Sequence, residues 1–324
     1  MVQTQASDHL LRALPGVGVF GYLIGRATQA LVTAFGVVTL VFLLLHLIPG
    51  DPVEVMLGES AQPADLEALR ASLGLDQPLA RQYGRYLAGL AVGDLGESLS
   101  HGRPVAQLLG ERIGPTAELA VAALLIAVGI AIPLGIAAAL RRGRAVDLAA
   151  SSLSLAGVSI PNFWLGPMLM LVFGLWLGWT PISGRDAPGG LILPAVTLGT
   201  GLAAILARML RASLLEVLGE DYVRSARARG LSPSRVLVRH ALRNAWMPFV
   251  TVLGLQLGVL LGGAVIVEVV FGWPGLGSLM IESIQRRDYP VVQGAVLLIA
   301  LSYVAVNALT DLAYGWLDPR VRQR

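Results

Sequence analysis

The side chains with the most evident capacity for chemistry lie in one basic segment, residues 220–244, which reads EDYVRSARARGLSPSRVLVRHALRN. A guanidinium group stays charged at any physiological pH and presents several hydrogen-bond donors to carboxylates or phosphates. Six of these groups interrupt an otherwise aliphatic chain here: Arg224, Arg227, Arg229, Arg235, Arg239 and Arg243. The density of charge raises the question of what this segment contacts, and the rest of the chain has to indicate the answer.

Other kinds of chemistry are excluded by residue types that the chain lacks. There is no cysteine, which rules out disulfides, thiolate nucleophiles and thiolate metal sites. All 24 basic residues are arginine, so the lysine of a phosphate-binding Walker loop and the amine of a Schiff base are both missing. The four histidines stand apart from one another: His9, His46, His101 and His240. We therefore expect a protein that is not an enzyme, with no catalytic residues and no metal or cofactor bound by this chain.

The composition indicates an integral membrane protein. Hydrophobic residues make up 55% of the 324 residues, charged residues only 14%, and the mean hydropathy is +0.69. A soluble domain carries about 25% charged residues, and here the apolar residues collect in runs long enough to cross a bilayer. The runs predict an all-α polytopic protein with six transmembrane helices, at about 27–48, 115–140, 147–179, 191–213, 246–271 and 290–316.

The distribution of arginine predicts the orientation of these spans. With the N-terminus inside, 16 arginines lie in inner segments and 8 in outer ones, which satisfies the positive-inside rule. Both termini are then cytoplasmic tails, residues 1–26 and 317–324. Residues 49–114 become an extracytoplasmic segment of short helices after the first span, which is either a plain connecting loop or a small cap that could meet a partner. The remaining five spans form a core over 115–316, which includes a re-entrant or interfacial outer segment at 272–289.

The basic segment falls in the loop between the fourth and fifth spans, residues 214–244, which we call the basic loop. It predicts a short helix over 219–229 that ends at Gly230, and Ser232 with Pro233 is typical of the start of a second helix. Three interpretations compete: a solvated loop on anionic lipid, a helix-turn-helix for DNA, or a docking element for a cytoplasmic protein. Membrane anchors on both sides argue against DNA. The placed glycine and helix cap favour docking, because a loop that only sets topology needs charge alone.

The segment YVRSARARGLSPSRVLVRHALRNAWMP resembles the cytoplasmic loop of permease subunits in binding-protein-dependent ABC importers. The general pattern of that family is Glu-Ala-Ala, three residues, Gly, nine residues and Ile-x-Leu-Pro. Ala226, Gly230 and Leu242 match the second Ala, the Gly and the Leu. Four positions depart from the pattern: Arg224 replaces the Glu, Ser225 the first Ala, His240 the Ile and Arg243 the Pro. The segment is closer to the branch that carries dipeptides, oligopeptides or nickel.

Further motifs of the same branch run from about residue 25 to the end of the chain. They are IPGDPVEVMLG, GDLGESLSHGRPV, IPNFWLG, GGAVIVEVVFGWPGLGSLM, RDYPVVQG and DLAYGWLDPRVR. The resemblance is to the first of the two permeases of such importers, and it implies the type I ABC importer permease fold in a bacterial inner membrane. It also implies partners besides the lipid bilayer: a second homologous permease, two ATP-binding subunits and an extracytoplasmic solute-binding protein. ATP and Mg are expected on the ATP-binding subunits, and no nucleic acid is expected.

By the same resemblance, the basic loop contains the coupling helix that lies in a groove on an ATP-hydrolysing subunit. The residues assigned to this contact are Asp221, Tyr222, Arg224, Ala226, Arg227, Gly230, Leu231 and Arg239. The chain is then expected to form half of a translocation pathway for di- or oligopeptides. The alternatives are a permease for nickel or another small solute and, in a different class, a self-sufficient secondary transporter.

Polar residues within the predicted spans are candidates for the pathway. The uncharged candidates at mid-depth are Asn162, Trp164, Gln256 and Asn307. They either line the pathway or form hydrogen bonds between helices. Charged residues such as Glu118 and Glu268 fall near span ends, where interfacial or snorkelling side chains are expected. A proton- or sodium-driven transporter would carry ionisable groups at mid-depth and an inverted repeat, and the sequence indicates neither.

Overall fold

The computed structural model describes residues 19–47, 53 and 62–317, and these residues are mostly helical, as expected. Extended pairing in the described part is limited to one isolated bridge between Glu97 and Pro104. The helices are α1 (Val19–Leu47), α2 (Pro63–Leu73), α3 (Leu79–Ala91), α4 (Val105–Leu140), α5 (Ala145–Ser159), α6 (Asn162–Leu169), α7 (Ile192–Leu218), α8 (Asp221–Ala228), α9 (Leu242–Phe271), α10 (Leu276–Gln285) and α11 (Tyr289–Leu317). A π-helical stretch, Met170–Trp176, follows α6. Another, Val236–Ala241, joins one helical turn at Pro233–Arg235 to α9.

Several of these helices are long and apolar enough to cross a bilayer. Three meet that condition alone: Val105–Leu140, Ile192–Leu218 and Tyr289–Thr310. Two bent pairs meet it together, Ala145–Ser159 with Asn162–Trp176 and Pro233–Leu260 with Ala264–Phe271. A shorter apolar helix covers Ala27–Leu43. By length and composition, the described residues thus contain up to five spans when each bent pair counts as one. The chain is a multi-pass membrane protein.

The centre of the bundle is the contact between α4 and α7. A stripe of small residues at four-residue intervals on α4 is fully buried there: Ala123, Ala127 and Ala131. Gly135 continues the stripe, and a Cβ on it would lie 2.9 Å from the carbonyl oxygen of Ala207. On the other helix, a Cβ on Gly199 would lie 2.7 Å from the carbonyl oxygen of Ala123. The two backbones therefore touch, which is how small residues stabilise helix pairs where hydrophobic burial gives little driving force.

The bundle has two distinct ends. The basic loop lies at one of them, which we call the basic end. There the α4–α5 turn meets α7 through an ion pair between Asp147 and Arg211, and Ala139, Leu214, Ala241 and Ala245 form a buried cluster. At the opposite end, the Trp273 indole donates to the carbonyl of Pro115 (2.8 Å), and Gly184 donates to the carbonyl of Phe271 (3.0 Å). The connections that follow α6 and α9 therefore both lie at the end of the bundle opposite the basic loop.

The third span, 147–179, is predicted to be interrupted by Pro161 and Pro167, and the structure shows a break at the first of them, with Pro167 inside α6. The two halves, Ala145–Ser159 and Asn162–Trp176, meet at 103°. Ile160 precedes the proline in an extended conformation (φ −84°, ψ 117°), because a following proline disfavours helical geometry. The pair begins at the basic end and reaches the opposite end, where the exposed indoles of Trp176 and Trp179 (71% each) are typical of an interfacial aromatic belt. It is therefore a broken span.

The segment between the first two predicted spans contains short helices, as expected. The second of them, α3, packs on α1 through aromatic rings: the centroid of Phe42 lies 5.1 Å from that of Tyr83 and 5.7 Å from that of Tyr86. A hydrogen bond of 2.6 Å joins the hydroxyls of Thr39 and Tyr83. The last turn of the segment, residues 98–104, packs beside the start of α11.

Two helices begin earlier than the spans within them. Helix α1 begins at Val19 and α4 at Val105, whereas the predicted spans begin at residues 27 and 115. Apolar length reports only the part of a helix in hydrocarbon, and a helix continues beyond it wherever the backbone stays hydrogen-bonded. The remainder of the predicted tails, 1–18 and 318–324, and most of residues 48–61, lie outside the described residues.

Candidate functional site

The basic loop folds into two helices with a sharp turn between them. Helix α8 runs from Asp221 to Ala228, and Gly230 follows with φ +75°, a conformation that L-amino acids with side chains rarely adopt. Pro233 occupies the first turn of the next helical segment, where its missing N–H would have no partner in any case. The turn residues therefore end α8 at Gly230 and begin the next helical segment at Pro233.

One interpretation at this turn was wrong in detail. Ser232 lies at the N-cap position with extended backbone (φ −61°, ψ 146°), but its side chain forms no cap hydrogen bond. Its hydroxyl lies 3.4 Å from the hydroxyl of Ser234 instead. The backbone angles and Pro233 thus begin this helix without the side-chain oxygen.

One face of α8 is anchored to the bundle. Val223 and Ala226 are fully buried, and Val236 is 2% exposed; together they form a small apolar cluster to which Leu231 adds its side chain. The amide of Asn244, in the first turn of α9, donates to the Tyr222 hydroxyl at 2.6 Å. Of the residues assigned to the coupling contact, Ala226 and Leu231 therefore hold α8 in place, and their side chains are turned toward the bundle.

Five of the side chains assigned to the coupling contact are exposed: Asp221, Tyr222, Arg224, Arg227 and Arg239. We call this set the coupling surface. The side chain of Asp221 is 95% exposed and that of Arg224 is 71% exposed, with 3.3 Å between their charged atoms. An exposed ion pair of this kind contributes little to stability. Its groups are free to exchange partners with a second protein.

The four pathway candidates fall at two places. Asn162 begins α6 directly after the break, and its Oδ1 would lie 3.9 Å from a Cβ added to Gly201 of α7; Trp164 beside it is 51% exposed. Gln256 and Asn307 lie where α9 crosses α11, since Gly254 and Gly258 pack against the side chains of Thr310 and Tyr303.

Each of the three amides is partly exposed. Among the contacts of the described residues, no hydrogen bond joins any of them to another helix. The hydrogen-bonding alternative therefore has no support from the described contacts, and pathway lining stays a prediction.

Glu268 was expected to be interfacial, and that expectation was wrong. It is fully buried, and its carboxylate accepts hydrogen bonds from the Thr116 hydroxyl (2.6 Å) and from the backbone amides of Gly277 (2.7 Å) and Ser278 (3.1 Å). The carboxylate therefore caps the N-terminus of α10, where unsatisfied amides and the helix dipole favour negative charge. Glu268 is the single acidic residue of the predicted span 246–271, and this isolation, just before a Gly-rich turn, was the available signal.

Helix α10, within the predicted re-entrant or interfacial segment 272–289, does not separate apolar and polar side chains cleanly. Leu279 is buried, but Ile284 is 51% exposed, whereas the neighbouring Ser283 is fully buried. The helix packs with Leu276 and Leu279 against Val105 and Val291, at the end of the bundle opposite the basic loop. It is a short helix tucked among the ends of α4 and α11.

Asp288, between α10 and α11, holds the outer segment in place. Its buried carboxylate accepts hydrogen bonds from the hydroxyls of Ser98 (2.5 Å) and Ser100 (2.7 Å) and from the amides of Leu99 and Ser100 (3.1 Å each). Burial alone would raise the pKa of Asp288, but these donors together outweigh it and leave that pKa below its ordinary value.

The same cluster contains a serine, a histidine and an aspartate, but not in the order of a hydrolase triad. The Nδ1 atom of His101 faces the hydroxyls of Ser98 (3.1 Å) and Ser100 (2.8 Å), and it lies 3.8 Å from Asp288. A triad needs the carboxylate on one ring nitrogen and the nucleophile on the other. Here Asp288 accepts directly from both hydroxyls, so the cluster acts as a structural clasp.

Two family models match this chain over most of its length. The model for the binding-protein-dependent transport system inner membrane component matches residues 131–323. The model for the N-terminal part of such membrane components matches residues 19–120. The chain belongs to this family of transport permeases. The resemblance found in the basic loop and in the dispersed motifs is therefore confirmed.

Relatives in this family align over nearly the whole chain. The dipeptide transport system permease protein DppB of Escherichia coli K12 is 43% identical over 94% of this chain and 99% of its own. The di/tripeptide transport system permease protein DppB of Pseudomonas aeruginosa is 45% identical, and the glutathione transport system permease protein GsiC of E. coli K12 is 42% identical; each alignment covers 94% of this chain and 100% of the relative.

Solved structures show the same fold. The inward-facing MetNI methionine ABC transporter matches with a TM-score of 0.56 at 21% identity, over 65% of this chain and 97% of that one. An amino acid ABC transporter crystallised with histidines matches with a TM-score of 0.52 at 18% identity, over 64% of this chain and 94% of that one. At this identity the match supports the permease fold alone.

Proposed function

We propose that this chain is the transmembrane permease subunit of an ATP-driven importer for short peptides, and that it forms half of the translocation pathway. The observation that carries the proposal is the build of α8. Its apolar face is anchored by Val223 and Ala226 and by the Tyr222–Asn244 hydrogen bond, and its polar face is open. A helix anchored on one side and exposed on the other can transmit a partner's movement to the bundle, which a loose topogenic loop cannot.

The proposed partners follow from the family and from what this chain lacks. Two separate subunits bind ATP and Mg, because the chain has no lysine for a phosphate loop. A second homologous permease completes the pathway, and an extracytoplasmic binding protein delivers the cargo. The chain itself hydrolyses nothing.

The proposed orientation places the basic end in the cytoplasm. There, Arg141, Arg142 and Arg144 of the α4–α5 turn join the arginines of the basic loop, as the positive-inside rule favours. Both termini are then cytoplasmic and the chain crosses six times. Residues 62–104 and α10 face the binding protein.

Peptides are the proposed cargo because the relatives named above are permeases for dipeptides, tripeptides and glutathione, itself a tripeptide. The amides of Asn162, Gln256 and Asn307 suit this cargo. An uncharged amide can donate to and accept from a peptide bond, and it holds a passing peptide less tightly than a charged group would.

Transport proceeds by alternating access in this proposal. Binding of ATP closes the two ATPase subunits and displaces α8, and the bundle then changes from inward- to outward-facing. The energy must come from the difference in ATP affinity between the two states, since a ligand shifts an equilibrium only by its differential binding.

Purification of a tagged chain from its native membrane, followed by mass spectrometry, tests the assembly. We expect a second permease, P-loop ATPases and a binding protein to co-purify. Uptake of a radiolabelled dipeptide into cells with and without the gene then tests the cargo, with nickel uptake as the matched comparison. Recovery of the chain alone from several detergents would contradict the importer, whereas recovery of the complex with gene-dependent nickel uptake alone would contradict only the peptide cargo.

A further inference from the structure

An ion pair at the basic end joins two helices that serve different parts of the protein. Arg211 of α7 binds Asp147 of α5 with both sides of its guanidinium group, Nε to Oδ1 at 2.5 Å and one Nη to Oδ2 at 2.8 Å. The Asp147 side chain is only 8% exposed and that of Arg211 is 29% exposed. Bidentate geometry fixes both distance and angle between the partners. The pair therefore constrains α5 and α7 along and around their axes.

Small residues surround a narrow gap beside this pair. A cavity of about 10 Å³ lies between α4, α5 and α7, and it is lined mainly by small residues: Gly135, Ala138, Ala150, Ser151, Ser154 and Ala207. Further along, α5 meets α7 where a Cβ on Gly157 would lie 3.0 Å from the Ala204 Cβ. Small side chains allow close approach, but they interdigitate less than long ones. The bidentate ion pair therefore adds a directional contact that the small side chains do not supply.

The two helices lead to the two functional regions. Arg211 lies seven residues before the end of α7 at Leu218, about 10 Å at the rise of an α-helix, and α8 begins three residues later. Asp147 lies twelve residues before the end of α5 at Ser159, about 18 Å along the helix. There the span breaks and Asn162 begins α6. A displacement of α8 thus reaches the break through α7, the ion pair and α5.

A third element is tied to the same carboxylate. The backbone amide of Gly143 donates to Asp147 Oδ2 at 2.9 Å, in the turn between α4 and α5, where Gly143 has φ +73°. The α4–α5 turn therefore moves with the ion pair. The Asp147 carboxylate thus connects α5, α7 and the α4–α5 turn at the basic end.

We propose that Asp147 and Arg211 are positioning residues that transmit movement of the coupling surface to the broken α5–α6 span, and so couple ATP hydrolysis to opening of the pathway. The inference rests on the proposed function, because it requires a partner ATPase acting on α8. Neither residue touches substrate or nucleotide. Both act through the helices that they hold in register.

The test uses the complete complex in proteoliposomes with a radiolabelled dipeptide, and it measures peptide import and ATP hydrolysis together. Asp147→Asn and Arg211→Gln should each lower import by at least about tenfold, a typical size for coupling between two sites, with ATP hydrolysis kept within about twofold. The exchanged variant D147R/R211D should recover part of the import. The matched control is Glu111→Gln, which breaks the exposed Arg103–Glu111 pair and should leave the ratio unchanged.

A distance measurement between α5 and α7 tests directly whether the ion pair keeps the two helices in a fixed relative position. The chain contains no cysteine, so introduced cysteines give defined sites for spin labels. We choose Leu148→Cys on α5, where the leucine is 71% exposed, and Glu216→Cys on α7, where the glutamate is exposed. The other subunits of the complex must be cysteine-free. The interlabel distance should stay constant when ATP is added to the complex with the native pair. With Arg211→Gln added, it should change.

The outcomes separate this inference from the proposed function. A wild-type complex without ATPases or without peptide import contradicts the function. If the wild-type complex works, the inference fails when the single variants import normally or when they lose ATP hydrolysis in parallel with import. It also fails when the interlabel distance in the Arg211→Gln complex stays constant on addition of ATP. A parallel loss would mean that the pair serves assembly only.

Discussion

At the scale of single residues, two buried carboxylates organise the end of the bundle opposite the basic loop. Glu268 and Asp288 are both fully buried, and each accepts several hydrogen bonds. A buried carboxylate whose lone pairs are all paired with donors is stable. Replacement of the carboxylate leaves its buried donors without an acceptor. Substitutions of Glu268 and Asp288 therefore test how this end of the bundle is stabilised.

Glu268→Gln should destabilise the protein. The glutamine amide would turn an NH₂ group toward donors, the Thr116 hydroxyl or the amide of Gly277, and each buried group left without a partner costs about 1–3 kcal/mol. Thermal unfolding of the purified protein in detergent measures the loss. The control is Glu282→Gln in the exposed Glu282–Arg286 pair, for which about 0–1 kcal/mol is expected. Equal unfolding temperatures for both variants would contradict the role of Glu268.

Asp288→Asn should loosen the outer segment at neutral pH. The amides of Leu99 and Ser100 donate to this carboxylate, and their protection from hydrogen exchange should fall by about tenfold or more, since a bond to a charged group contributes about 1.5–3 kcal/mol. Asp186→Asn, an exposed aspartate at the same end of the bundle, is the control. Unchanged protection at both amides in Asp288→Asn would contradict the clasp.

The same clasp predicts a pH dependence with a definite sign. The pKa of Asp288 is lowered from its ordinary value of 3.8, so its contribution to stability is complete above pH 3.8 and is lost as the pH falls below that value. Exchange protection of Leu99 and Ser100, corrected for the intrinsic rate, should therefore be constant from neutral pH down to that point and then decrease. A decrease that begins near neutral pH would contradict the assignment of this pH dependence to Asp288.

At the scale of elements, the turn between α8 and the following helix depends on backbone conformation alone. Gly230 has φ +75°, and a Cβ added there would meet nothing within 4 Å. A substitution is therefore penalised by the left-handed conformation, which costs about 1–2 kcal/mol for an ordinary residue and more for a β-branched one.

Gly230→Val should insert normally into the membrane but lose ATPase docking and peptide uptake, because the strained turn would re-aim α8. Gly230→Asn is the matched control, since asparagine tolerates this conformation and the site has room; it should retain most of the uptake. Uptake and ATPase co-purification in a deletion strain provide the measurement. Full uptake by the valine variant would remove Gly230 from the mechanism.

At the scale of the whole molecule, the proposed function gives the arginines of the basic loop two separable roles, orientation and docking. The double reversal R224E/R227E changes the coupling surface, whereas R141E/R142E makes the same change of charge at exposed positions of the α4–α5 turn. We expect the first variant alone to lose ATPase recovery, by at least about tenfold, because like-charge contacts across an interface cost several kcal/mol.

Recovery of the ATPases with each variant, together with the accessibility of the termini to protease in inside-out vesicles, measures both roles. Unchanged protease accessibility in both variants keeps topology out of the comparison. If R224E/R227E kept full ATPase recovery and uptake with its topology intact, these two arginines would serve only orientation.

The sequence by itself determined the class of this protein and the location of the basic loop for which we propose a coupling role. Runs of apolar residues, the arginine distribution and the helix–Gly230–Pro233 pattern depend on local chemistry and on the solvent of each segment, and these are properties that a chain shows without being folded. The family followed from motifs spread along the whole chain.

Only the tertiary structure decided which polar groups are buried and which meet. Glu268 with Thr116, Asp288 with Ser98 and Asp147 with Arg211 are separated by 152, 190 and 64 residues in the chain. Whether a charge near a span end snorkels or is buried depends on the elements packed over it, and no periodicity in the sequence reports that. Pro161 in the sequence indicates that the third span is interrupted there. The 103° angle of the break depends on how α5 and α6 pack against α7 and α9.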